Sequence, residues 1–117
     1  MNILYCQGES DADRGTENWT ESFNTLKEVL FEKGFEHIFM IPIGRMNVDG
    51  KYHQYDGIRG EQYNQIESDD RIVLASPILE TMLDRGLMKD KFHYYQQAYN
   101  EVGKDAATNV ARYLYNK

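Results

Sequence analysis

Cysteine occurs once, proline twice and tryptophan once in these 117 residues, and basic side chains are outnumbered by acidic ones. Cys6 alone cannot close an intramolecular disulfide, so nothing in the chain demands an oxidising compartment. With Lys and Arg at 13 against Asp and Glu at 19, the formal charge is -6. No basic stripe exists to neutralise phosphates, which argues against nucleic acid and against an anionic membrane surface. No stretch approaches the roughly 20 apolar residues that span a bilayer. Met1-Asn2 lacks a basic leader and the first apolar run stops at Cys6, so no signal peptide is expected and the chain reads as cytoplasmic. Of the three histidines, His37 and His53 stand at no spacing from Asp or Glu that suggests zinc, and neither a metal nor another cofactor is expected.

What remains is globular. A hydrophobic fraction of 41% and an aromatic fraction of 13% suit a folded core rather than a disordered tail. A chain of this length is expected to form one domain, residues 1–117. No internal repeat, linker or low-complexity tract interrupts it.

Three short apolar runs alternate with helical patterns. Ile3 to Cys6 reads as a strand buried on both faces, with Cys6 as a buried strand residue. Asn18-Trp19-Thr20-Glu21 has the spacing of a capping box at a helix start. Trp19, Phe23, Leu26 and Leu30 then recur at helical spacing, and Gly34 supplies a stop. Ile38 to Ile43 is the second strand, with Pro42 near its end, and Gly44 to Tyr55 reads as loop. A weaker helix over Ile58 to Glu67 turns Tyr63 and Ile66 inward. Arg71 to Ser76 forms the third strand, ended by Pro77, and Ile78 to Met88 gives a short helix plus loop. The last helix, Gln96 to Tyr115, carries Tyr99, Val102, Ala106, Val110 and Tyr113 on one face. This alternation is the signature of parallel βαβ units, whose ligands collect beyond the carboxyl ends of the strands. Gln7-Gly8-Glu9, Gly44-Arg45 and Ser76 all lie at such ends.

Asp90 and His93 carry the chemistry. A carboxylate three residues before a histidine, on a turn leading into a helix, can fix the imidazole tautomer and stabilise its protonated form. The other ring nitrogen is then free to take a proton from a hydroxyl. The plainer reading is a helix cap beside a surface histidine. No equally persuasive nucleophile accompanies the pair. Ser10 stands between Glu9 and Asp11, which would oppose its ionisation, and Ser76 is a strand-end residue before proline. Arg45 is the better of the arginines for a substrate carboxylate. Tyr52, Tyr55, Tyr94 and Tyr95 suit either sugar stacking or packing.

Gln7-Gly8-Glu9-Ser10-Asp11 resembles the QGESD block of the sialate O-acetylesterase and acetylxylan esterase branch of the SGNH hydrolases. Asp90-Lys91-Phe92-His93-Tyr94, with Tyr99 and Gly103, resembles that branch's closing DxxHY block. The order and spacing of the two blocks extend the likeness over nearly the whole chain. The resemblance implies a three-layer α/β/α flavodoxin-like fold with a short parallel sheet, truncated at its N-terminal side. It also implies removal of acetyl groups from sugars by a Ser-His-Asp triad without a metal. On it, His93 is the general base, Asp90 its orienting acid and Gln7 an oxyanion donor, a contact worth about 3 kcal/mol in the transition state. Glu9, Arg45 and Tyr94 would then contact substrate. Two departures stand out: Tyr95 and Ala98 replace a small hydroxyl residue and a glycine, and the block carrying the nucleophilic serine has no counterpart. The expected partners are an acetylated carbohydrate or other small ester, and either further copies of the chain or a separate N-terminal half. The alternative is a non-catalytic remnant acting as a binding or oligomerisation module.

Overall fold

Apolar runs of three or four residues, separated by helices of 17 and 13 residues, can pair only through crossovers, and crossovers make a parallel sheet. The computed structural model describes residues 1–116, with Asp13 described in its backbone alone. β1 (Asn2–Tyr5) pairs with β2 (His37–Met40), and β2 with β3 (Ile72–Leu74). Both pairings are parallel, in the order β1-β2-β3, with Ile3 opposite Ile38 and Ile38 opposite Ile72. The fold is mixed α/β with a small parallel sheet.

Side chains alternate across the pleat, so each face builds its own core. Ile38, Met40 and Ile72 pack with Trp19 and Phe23 of α1 (Thr16–Glu32) and Ile58 of α2 (Asp56–Ser68). Phe39, Ile41 and Ala75 pack on the other face with Ala98, Val102 and Ala106 of α3 (Gln96–Tyr115). No helix among the described residues is long and apolar enough to cross a membrane.

Several local expectations need correction. β1 is not buried on both faces: it forms an edge of the sheet, and Leu4 is 56% exposed. An apolar run of four records hydrophobicity but not its place in the strand order. Cys6 follows β1 and is exposed. The capping box at Asn18 does not form, because α1 starts earlier, after Gly15 (φ 94°), and Asn18 Nδ2 donates to Asp11 instead. Leu26 and Tyr99 are exposed rather than inward. The stop at Gly34 does form. With φ at 96°, Gly34 N–H donates to Phe31 O and Phe35 N–H to Leu30 O, the paired bonds of a Schellman end.

Candidate active site

The loops beyond the strand ends are held by buried polar residues of α2. Gln62 is fully buried; its Nε2 donates to Gln7 O at 2.8 Å and its Oε1 accepts from Ile43 N–H at 2.9 Å. Arg59, also buried, donates to Gly44 O at 2.8 Å and pairs with Asp56 and Glu80. One helix thereby fixes the segments after both β1 and β2. Gly8 fits this crowding, since its φ is 144° and a Cβ there would lie 3.0 Å from Gln62 Nε2. A hydrophobic periodicity search passes over such residues, because they read as a polar face.

Asp90 and His93 sit on a tight turn closed by Lys89 N–H donating to His93 O and Tyr95 N–H donating to Leu87 O. The Asp90 carboxylate accepts backbone N–H bonds from Phe92 (2.9 Å) and His93 (2.7 Å). Those two amides, with the His93 ring, hold its carboxyl below the usual carboxylate range. The same carboxylate lies 3.0 and 3.1 Å from His93 Nδ1. Among the described residues Nε2 of His93 makes no hydrogen bond.

His93 lines a cleft of about 420 Å³ together with Cys6, Glu9, Phe92, Tyr94 and Tyr99, over a floor that includes Ile41 and Leu79. Tyr94 is buried, and burial, reinforced by the Glu9 charge, pushes its hydroxyl well above the ordinary range. Cys6 is the sulfur nucleophile of this cleft, and sequence reasoning assigned it to the core. Desolvation and the nearby Glu9 raise its thiol pKa, so the thiolate is disfavoured. Among the described residues the lining includes no serine. Ser76 is fully buried with its hydroxyl donated to Asp105 at 2.6 Å, and Ser10 is exposed on the 3-10 turn Glu9–Asp13.

The remaining candidate residues lie elsewhere. The Gln7 carboxamide does not line the cleft; Oε1 accepts from Tyr5 Oη at 2.6 Å and Nε2 donates to Asp11 at 3.0 Å. Arg45 lines a separate hollow of about 330 Å³ with Tyr52, His53 and Asp84, and its Nε is buried without a hydrogen-bond partner. The two hollows are tied together, since Asn47 N–H donates to Lys91 O in the Asp90–His93 turn at 2.9 Å. His53 and Asp56 form a second histidine–carboxylate pair, 2.7 Å apart, outside the cleft. Among the described residues no group of three His, Cys, Asp or Glu side chains is placed to hold a metal ion.

No protein-family model, curated protein or solved structure matches this chain.

Proposed function

We propose that the chain is a carboxylic ester hydrolase of the carbohydrate O-acetylesterase type, built on a flavodoxin-like frame of the SGNH hydrolase kind. One observation carries the reading: the His93 ring is anchored through Nδ1 by Asp90 and faces a cleft at the strand ends with Nε2 uncommitted. In the reaction a serine hydroxyl gives its proton to Nε2 as its oxygen attacks the acetyl carbon. Asp90 stabilises the resulting imidazolium. The Gln7 carboxamide, bonded to Tyr5 and Asp11 outside the cleft, is not placed to donate to the oxyanion. The imidazolium then protonates the departing sugar oxygen, and water repeats the sequence to release acetate.

The serine is supplied by a separate N-terminal piece, by a neighbouring subunit or by a residue of this chain that the cleft lining does not reveal. A single cysteine requires no oxidising environment, and we place the activity in the cytoplasm. The second reading, a binding or oligomerisation module without catalysis, draws on the absence of a serine from the cleft lining.

Incubation with an aryl acetate and a fluorophosphonate probe separates the two. An activated ester can be hydrolysed by water that His93 deprotonates directly, so the chain alone should turn it over above background. The rate should fall to background in His93→Ala, and probe labelling should require an added serine-bearing segment. Equal rates in the two proteins would favour the non-catalytic module.

A further inference from the structure

Besides the general base, the cleft of His93 holds a carboxylate with no charge opposite it. Glu9, half-buried at the start of the 3-10 turn Glu9–Asp13, lines the cleft and makes no hydrogen bond or ion pair among the described residues. No lysine or arginine lines the same space, and His93 is already paired with Asp90. After burial, the Glu9 charge is the largest influence raising the pKa of both the Cys6 thiol and the Tyr94 hydroxyl, so the carboxylate lies close to both. An anion stripped of part of its water calls for compensation.

Much of the remaining wall is aromatic. Tyr94 and Tyr99 stand edge to face, with centroids 5.6 Å apart and planes at 84°, so their rings form two sides of a corner. The Tyr99 hydroxyl accepts the Tyr94 N–H at 3.3 Å, which fixes the two rings relative to one another. Phe92 adds a third ring, half open to solvent. Aromatic faces attract a cation within about 6 Å of the ring centroid. One acid beside such rings offers a metal ion too few oxygens, but it suits a cation that carries carbon.

We propose that this cleft binds an organic ammonium group, a protonated amine or a quaternary ammonium, between the Glu9 carboxylate and the rings of Tyr94 and Tyr99. Ile41, Leu79 and Val102 supply apolar surface for the carbon substituents of that group. With a formal charge of -6, the chain as a whole draws cations and repels anions. The volume of about 420 Å³ falls within the range of small-molecule sites, roughly 300–1,000 Å³. A neutral sugar would stack on the same rings but leave the Glu9 charge uncompensated. On the hydrolase reading, on which this one step rests, the favoured ester is one carried by an amine-bearing sugar. Binding itself needs neither a serine nor turnover.

Amide NMR titrations test this apart from catalysis. Choline should shift the Glu9, Tyr94 and Gly103 amides saturably, and its uncharged isostere 3,3-dimethylbutan-1-ol should bind at least about fivefold more weakly. Glucosamine, with its amine protonated, should likewise bind more tightly than glucose. Glu9→Gln removes the charge and Tyr99→Leu removes one ring, and each should weaken choline roughly three- to tenfold. Unshifted amides elsewhere confirm that the variants fold, and Glu9→Gln should leave the affinity for the uncharged isostere unchanged. Equal binding of choline and its isostere overturns the proposal, as do shifts that sodium chloride reproduces or choline binding that survives both substitutions. Equal binding of the two sugars, with choline still preferred over its isostere, overturns the amine-bearing substrate alone. The hydrolase reading is decided separately, by aryl acetate turnover in His93→Ala.

Discussion

Gln62 Nε2 donates to the Gln7 carbonyl oxygen at 2.8 Å, fastening α2 to the segment that follows β1. The same side chain satisfies the buried Ile43 amide. Gln62→Met keeps the volume and deletes both bonds. Gln7 is exposed and its carbonyl can turn to water, but the Ile43 N–H cannot. The expected loss is about 1–3 kcal/mol, read from urea unfolding. An unchanged midpoint would mean that the strand ends hold without this bridge.

Gly44 stands against Tyr94. A Cβ there would collide with the Tyr94 hydroxyl and lie 2.9 Å from the Leu79 carbonyl. Gly44→Ala should therefore cost about 1–3 kcal/mol by overpacking. Adding Tyr94→Phe removes the hydroxyl and should restore part of that loss, leaving the clash with Leu79. Thermal unfolding of the two single variants and the double variant measures the coupling.

Asp69 governs part of the acid stability. Hydrogen bonds from Arg71 lower its carboxyl to about 2 from an ordinary 3.8, and Lys27 lies 3.5 Å away. A carboxyl whose folded pKa is depressed stabilises the fold above its unfolded pKa and loses that contribution as pH falls through the folded value. The contribution should be complete above about pH 4 and disappear toward pH 2. Arg71 is half-exposed, so screening leaves on the order of 1–2 kcal/mol at neutral pH. Asp69→Asn should lose that amount at pH 7 and flatten the acid limb of the stability curve.

Asp90 obeys the same sign with a different readout. The Phe92 and His93 amides depress its pKa, so the turn is held above the ordinary carboxylate range and released as pH falls through the lowered value. The two amide resonances should titrate together. Asp90→Asn should abolish that titration while keeping an oxygen that can accept the amide bonds.

The alternation of apolar runs and helical spacing made the parallel sheet readable, because Val102 and Ala106 on α3 and Trp19 and Phe23 on α1 recur at helical intervals. The position of β1 was not readable, since hydrophobicity does not encode strand order. The polar core of α2 was hidden for a related reason. Arg59 and Gln62 look like a solvated face until the strand-end backbones they satisfy are in place, and Gln65 until Lys27 and Asn24 of α1 meet its carboxamide. At the candidate site, the three-residue interval between Asp90 and His93 announced their contact. Cys6 gave no signal that it would line the same cleft.

The chain contains its own control for the central claim, a second histidine–carboxylate pair at His53 and Asp56 that lies outside the cleft. Acetate release from an acetylated xylo-oligosaccharide, followed by proton NMR with a serine-bearing N-terminal segment supplied, compares the two directly. His93→Ala should reduce release by at least about a hundredfold, whereas His53→Ala leaves it unchanged. Equal losses in both variants, or none in His93→Ala, would contradict the assignment of the general base.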